Sequence, residues 1–164
     1  MGILALEAAR LAREGKDVDT ILERLDYVRS TFGEYFVVDD LQNLVRGGRL
    51  SNASAFVGSL LKIKPILTFN DAHEIVAFEK VRSRKKAIAR VEKLFDEAYR
   101  SAEYPLRAFV IHGNDEKSAL KWKASLEEKY PQLPIDISYF GPVIGTHLGE
   151  KAIALIWVID YTKA

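Results

Sequence analysis

Ala152-Ile153-Ala154-Leu155-Ile156-Trp157-Val158-Ile159 is an unbroken apolar run of strand length, and its reading decides the fold. A strand with one wet face alternates apolar and polar residues, whereas a run without alternation marks a strand covered on both faces. The segment therefore predicts a strand inside a sheet with helices on each side. Upstream of it, Ile135 to Phe140 and Leu106 to Ile111 read as strands. Ile63-Lys64-Pro65-Ile66-Leu67-Thr68-Phe69 and Ile75-Val76-Ala77-Phe78 read as two more, around a turn at Asn70-Asp71, and Tyr35-Phe36-Val37-Val38 as another that ends at Asp39-Asp40. Pro65 argues against a central, fully paired position near the start of its strand.

Helical spacing fills the intervals. Ser83 opens the longest helix, where Ile88, Val91, Leu94, Phe95 and Ala98 form one stripe while Arg84, Lys85, Lys86, Arg90, Glu92 and Lys93 face water. Asp115 to Lys129 is a second amphipathic helix, with Leu120 and Leu126 inward. Leu41, Leu44 and Val45 suggest a short helix closed by Gly47-Gly48. Leu50 to Leu61 carries no charged side chain, which predicts a buried helix. At the start, Leu4, Leu6, Ala8, Leu11 and Ala12 alternate with charged residues as far as Gly15, and Asp17 caps a helix built on Val18, Ile21, Leu22, Leu25 and Val28 that ends near Gly33. The expected class is α/β, with α+β as the alternative: a mixed sheet of about five to six strands, helices on both faces, and a helical N-terminal extension. The expected division is residues 1–33 for the N-terminal helices and residues 34–164 for the α/β domain. A helix that begins with the first residue is expected of a chain cut from something longer.

Composition narrows the function. The chain has 164 residues, enough for one core, and its 24 Lys plus Arg against 23 Asp plus Glu leave a net charge of +1. A nucleic-acid binder needs a cationic excess, and none is present. Cysteine is absent, so there is no thiol nucleophile and no cysteine-ligated metal. No apolar run is long enough to span a bilayer, and Met1-Gly2-Ile3-Leu4-Ala5-Leu6-Glu7 has no cationic start of a secretory signal, so a cytoplasmic location is expected and the Asn52-Ala53-Ser54 triplet carries no weight as a glycosylation acceptor.

Few residues carry chemistry. His73, His112 and His147 lack metal-ligand spacing, so neither a metal nor another cofactor is expected. Ser59 in Val57-Gly58-Ser59-Leu60 lacks the second glycine of a nucleophile elbow. Arg46-Gly47-Gly48-Arg49 offers backbone amides and cations to an anion, or is a helix C-cap with solvated charges. Phe140-Gly141-Pro142-Val143-Ile144-Gly145-Thr146-His147-Leu148-Gly149 reads as a loop between two strands, placed where open α/β sheets bind ligands. Its His147 either donates to a carboxylate or phosphate or hydrogen-bonds to backbone in a tight crossover.

Four ordered blocks bear a family resemblance: Leu41 to Ser51, Gly58 to Leu67, Glu79 to Ala87, and Gly141-Pro142-Val143-Ile144-Gly145-Thr146-His147. Together the chain resembles the C-terminal domain of the DegV family of bacterial fatty-acid-binding proteins. The resemblance implies a carrier, not an enzyme, that encloses a fatty acid between two domains and presents its carboxylate to a fatty acid kinase. The partners implied are thus a fatty acid, held weakly by this chain alone, the kinase, and an N-terminal domain of the same protein that has no counterpart here. By the same match the ligand-binding residues are His147, Thr146, Gly145 and Arg49, with His147 as donor to the carboxylate or acyl phosphate and Arg49 at the head group or the kinase face. Arg82 and Arg84 follow as candidates for docking, and the apolar residues between Gly48 and Leu67 as part of the acyl tunnel. Where the family commonly continues Thr-His with Gly-Pro-Gly-Ala after one residue, this chain has Leu148-Gly149-Glu150-Lys151-Ala152, which places Glu150 near the anion. Asp71-Ala72-His73 puts His73 in a surface hairpin. A phosphotransfer or phosphate-ester enzyme using Arg49 and His147, or a protein-interaction domain, are the alternatives. Apolar patches around Leu4, Leu6 and Phe56 predict self-association, with a homodimer as the expected form.

Overall fold

The computed structural model of the protein describes residues 2–50 and 64–163. The helix expected over Leu50 to Leu61, Ser59 and most of the expected tunnel wall lie outside the described residues, apart from Leu50, which is buried. In chain order the elements are α1 (Gly2–Arg13), α2 (Val18–Ser30), β1 (Gly33–Val37), α3 (Gln42–Arg46), β2 (Lys64–Phe69), β3 (Ile75–Val81), α4 (Arg84–Ser101), β4 (Leu106–His112), α5 (Glu116–Lys129), β5 (Ile135–Tyr139), α6 (Pro142–Leu148) and β6 (Ile153–Ile159).

The strands form one six-stranded sheet in the order β3-β2-β1-β6-β4-β5. Only β4 and β5 pair in parallel; the other neighbours are antiparallel, so the sheet is mixed, as the sequence predicts. β6 lies in the interior between β1 and β4, and its side chains are buried on both faces except for half-buried Ile156. Ile153, Leu155 and Trp157 pack with Val91 and Phe95 of α4 and with Ala119, Trp122 and Leu126 of α5. Ala154 faces the other way, where Leu44 of α3 and Leu148 of α6 cover it, and Val158 meets Val28 of α2. Helices thus cover both faces. Pro65 lies beyond the β1–β2 ladder, which runs over Phe36–Leu67 and Val37–Ile66. Gly33 has to be glycine, because a β-carbon there would sit 2.2 Å from Cε2 of Trp157, opposite it on β6.

The helix caps are where local chemistry puts them. The Asp17 carboxylate accepts from the Thr20 amide at 2.8 Å, and the Ser83 hydroxyl from the Lys86 amide at 3.3 Å. α2 is tied to the sheet by Thr31, whose buried hydroxyl donates to the Val28 carbonyl at 2.7 Å and accepts from the Ile159 amide at 3.1 Å.

Three expectations fail. Leu120 is 52% exposed; the inward residues of α5 are Ala119, Trp122 and Leu126. Arg84 does not face water, because its guanidinium is drawn across to Asp39 and Asp115, and Glu92 is half-buried where it accepts from Trp122 Nε1 at 2.7 Å. The segment from Pro142 to Leu148 is a helix rather than a loop: Pro142 occupies its first turn, where a missing N–H costs nothing, and Gly149, at φ 78°, ends it.

Candidate functional site

β1 runs into Asp39-Asp40, whose second carboxylate accepts from the Gln42 amide at 2.8 Å and starts α3. α3 closes on its glycine pair. The Gly48 amide donates to the Val45 carbonyl at 3.1 Å and the Arg49 amide to the Leu44 carbonyl at 2.9 Å, with Gly48 left-handed at φ 62°. This is a Schellman closure. The amides of Gly47, Gly48 and Arg49 are therefore spent on the helix, and what the turn can offer an anion is side chain, not backbone. Arg46 donates to Gln42 Oε1 at 3.0 Å, while Arg49 is exposed and its side chain has no partner among the described residues.

α6 brings His147 to this turn. A β-carbon on Gly47 would lie 2.7 Å from His147 Nδ1 and 3.2 Å from its Cε1, so the half-buried imidazole rests directly on the glycine backbone, two positions before Arg49. A second close approach locks the same pair of helices: a β-carbon on Gly149 would lie 2.8 Å from Asn43 Nδ2. Asn43 and Gly47 had no signal in the sequence beyond their place in the glycine-rich turn.

Thr146 and Gly145 belong to a different wall. Gly145 and His147 are two residues apart on a helix and so point to opposite sides of it. With Gly113, Asn114, Phe140 and Glu150, residues Gly145 and Thr146 line an open cleft of about 390 Å³. Neither His147 nor Arg49 lines it. The Thr146 hydroxyl donates to the Pro142 carbonyl at 2.8 Å within its own helix, so only its oxygen lone pairs remain for a ligand. Glu150, on the cleft rim, accepts from Asn114 Nδ2 at 3.2 Å. The four expected ligand residues thus divide between two flanks of α6.

Between the α1–α2 pair and the α3–α6 pair, one row of residues crosses the sheet on the same face: Glu34, Ile156 and Phe109, in register on β1, β6 and β4. All three are half-buried, and beside them Phe69 is 42% exposed with its ring 5.8 Å from that of Phe36. Burial pushes the Glu34 carboxyl above its ordinary pKa, a shift that His73 partly offsets. This row is apolar apart from Glu34.

The other histidines stay apart. His73 sits exposed and left-handed, at φ 60°, in the turn between β2 and β3, and His112 Nδ1 accepts from the Asp115 amide at 3.3 Å. Among the described residues no group of three or more His, Asp or Glu could hold a metal ion, and no helix is long and apolar enough to cross a membrane.

The profile of the family described as "Uncharacterised protein, DegV family" matches residues 1–160. A DegV domain-containing protein of Listeria monocytogenes is 51% identical over 158 residues, 96% of this chain and 55% of that protein. Among solved structures, DegV of Bacillus subtilis, described as a fatty acid binding protein, matches with a TM-score of 0.85 and 49% identity over 97% of this chain and 56% of its own. A fatty acid binding DegV family protein of Streptococcus agalactiae matches with a TM-score of 0.87 and 38% identity, over 97% and 56%. The chain spans about half the length of the relatives it matches.

Proposed function

The chain belongs to the DegV family, and from that membership we propose that it is a lipid-binding unit that holds a fatty acid. The observation that carries the reading is the contact of His147 with Gly47, which sets an imidazole against the turn that bears the exposed Arg49 at the end of the α3–α6 pair. A carboxylate is what such a pair of donors suits. The tail would follow the half-buried row of Ile156 and Phe109, with Phe69 at its side. Fatty acid binding by solved relatives of 49% and 38% identity supports the reading.

In a protein as long as those relatives, the remaining part would close over the tail, and the carboxylate would be offered at His147 and Arg49 to a fatty acid kinase that phosphorylates it. Thr146, Gly145 and their cleft, on the other flank of α6, would then serve the docked partner or the acyl phosphate. Each methylene buried contributes about 0.8 kcal/mol, so a tail half exposed on this chain alone binds far more weakly than one fully enclosed.

The test is a titration of the chain, and of a relative-length protein that contains it, with a pyrene-labelled fatty acid, together with mass spectrometry of lipid extracted from both. Saturable binding, tighter in the longer protein and displaced by unlabelled palmitate but not by palmitoyl methyl ester, is expected. No binding in the longer protein, or equal displacement by the ester, overturns the reading of lipid or of head group respectively.

A further inference from the structure

Three connections meet at one end of the sheet and adjoin the helices of the candidate site: residues 38–41 between β1 and α3, 113–115 between β4 and α5, and 149–152 between α6 and β6. The last two are bonded to each other. The Gly113 amide donates to the Ala152 carbonyl at 2.8 Å and the Lys151 amide to the Gly113 carbonyl at 2.6 Å. A β-carbon on Gly113 would lie 2.9 Å from the Gly149 carbonyl oxygen. Asn114 and Lys151 hold left-handed backbone at φ 54° and 61°, a conformation that side chains rarely adopt and that persists only where neighbours fix it.

One side chain reaches all three connections. Arg84 is the first residue of α4, on the far face of the sheet. Its Nη1 donates to the Lys151 carbonyl and, at 3.4 Å, to Asp39, while its Nη2 donates to Asp115 at 3.0 Å. Lys64 Nζ supports the same Asp39, 3.1 Å from the carboxylate and 3.0 Å from the carbonyl.

We propose that Arg84 is a positioning residue for His147. By tying the Lys151 carbonyl to Asp39 and Asp115, it fixes the turn that follows α6 against the turn that precedes α3. Those two helices carry the two halves of the His147–Gly47 contact, and Gly149 lies against Asn43, so rotation of either turn would part the ring from the glycine. The work needs a guanidinium. Its N–H groups diverge in one plane and can serve separate acceptors, whereas an ammonium is a compact charge on a flexible stem. The inference rests on the lipid reading only for what the positioning achieves, not for the positioning itself.

The test compares Arg84→Lys with Arg100→Lys, a control at the other end of α4 whose guanidinium pairs with Asp96 at 2.8 Å. In NMR spectra of the imidazole C–H groups of the 164-residue chain, the His147 signal is the one lost in His147→Ala. Arg84→Lys is expected to shift that signal and the amides of residues 149–151, leaving His73 in place, and Arg100→Lys to shift none of them. An unmoved His147 signal overturns the proposal, as does an equal shift of His73, which would mark general loosening. A second arm uses pyrene-labelled fatty acid. His147→Ala is expected to lower affinity about tenfold in the native background and less than about twofold in Arg84→Lys, since residues that act as one unit are not additive. Additive losses overturn the proposal. This second arm is run in the longer protein that contains the chain, and failure of its native form to bind the probe counts against the lipid reading alone, because the ring signal still decides the role of Arg84.

Discussion

The imidazole of His147 occupies the space that a side chain at Gly47 would need, with Nδ1 2.7 Å from where that β-carbon would stand. Gly47 has ordinary helical backbone, at φ −79°, so alanine there meets a steric obstacle and not a conformational one. Gly47→Ala is expected to cost about 1–3 kcal/mol by overpacking and to displace the ring, lowering fatty-acid affinity with it. Gly48→Ala reverses the logic: nothing lies within 4 Å of the new carbon, but φ is 62°, so it costs about 1–2 kcal/mol of backbone strain and leaves the ring where it is. Denaturant unfolding and probe titration of both variants separate the two effects.

Thr31→Val should lower stability by about 1–3 kcal/mol, because it leaves the Ile159 amide without its acceptor in a buried place. Thr31→Ser keeps the hydroxyl and removes one methyl, so about 0.8 kcal/mol is expected. A loss in Thr31→Ser equal to that in Thr31→Val would show that packing, not the hydrogen bond, holds α2 to β6.

Glu7 is fully buried and accepts from Arg10 at 2.8 Å and Arg24 at 2.9 Å. The Arg10 hydrogen bonds, against the upward push of burial and with the help of Arg24, hold its carboxyl below the ordinary 4.5. A carboxyl depressed on folding contributes its stability in full above the unfolded value and loses it as pH falls through the folded one. Glu7→Gln should therefore cost about 2 kcal/mol at neutral pH, with both arginines partly screened by water, and the difference from the native chain should shrink steadily below pH 4.5. Urea melts across acid pH provide the check. A constant difference would mean that the charge is not what stabilises α1 against α2.

Leu120→Ser should change stability by less than about 0.5 kcal/mol, whereas Leu126→Ala, on the same helix, should cost about 2–5 kcal/mol. Thermal unfolding of the two variants distinguishes a surface leucine from a core one.

That contrast shows what the sequence carried. Leu120 and Leu126 are six residues apart, which at 100° each sets them on different sides of a helix, while Ala119, Trp122 and Leu126 share one side. Choosing the leucines by hydrophobicity overruled the period. β6 was legible because an apolar run reports cover on both faces whatever does the covering, and Asp17 and Ser83 because a cap bonds within its own turn. α6 was hidden by composition: Gly141, Pro142 and Gly145 spell a loop, although Pro142 stands where a helix tolerates it. The partners of Arg84 lie 31, 45 and 67 residues away, a separation at which no local pattern exists, so its basic run read as a wet surface. The spent amides of the Gly47-Gly48 turn were equally invisible, since a glycine pair beside arginine looks the same whether it closes a helix or cradles an anion.

The place of β6 between β1 and β4 sets the order in which the sheet can be completed. β1, β2 and β3 form one ladder and β4 and β5 another, and the described sheet has no bond between them except through β6. β6 is also the latest of these strands in sequence, so on the ribosome two half-sheets must wait with their inner edges open until Ile159 has emerged. Its pairing of Gly33 with Trp157 closes a loop of most of the chain, the kind of contact that makes folding slow. Synthesis stalled ahead of residue 153 would thus leave two half-sheets with sticky inner edges, linked through α4 and α5 but not through the sheet, for chaperones and proteases to compete over, and not a slightly frayed version of the same domain.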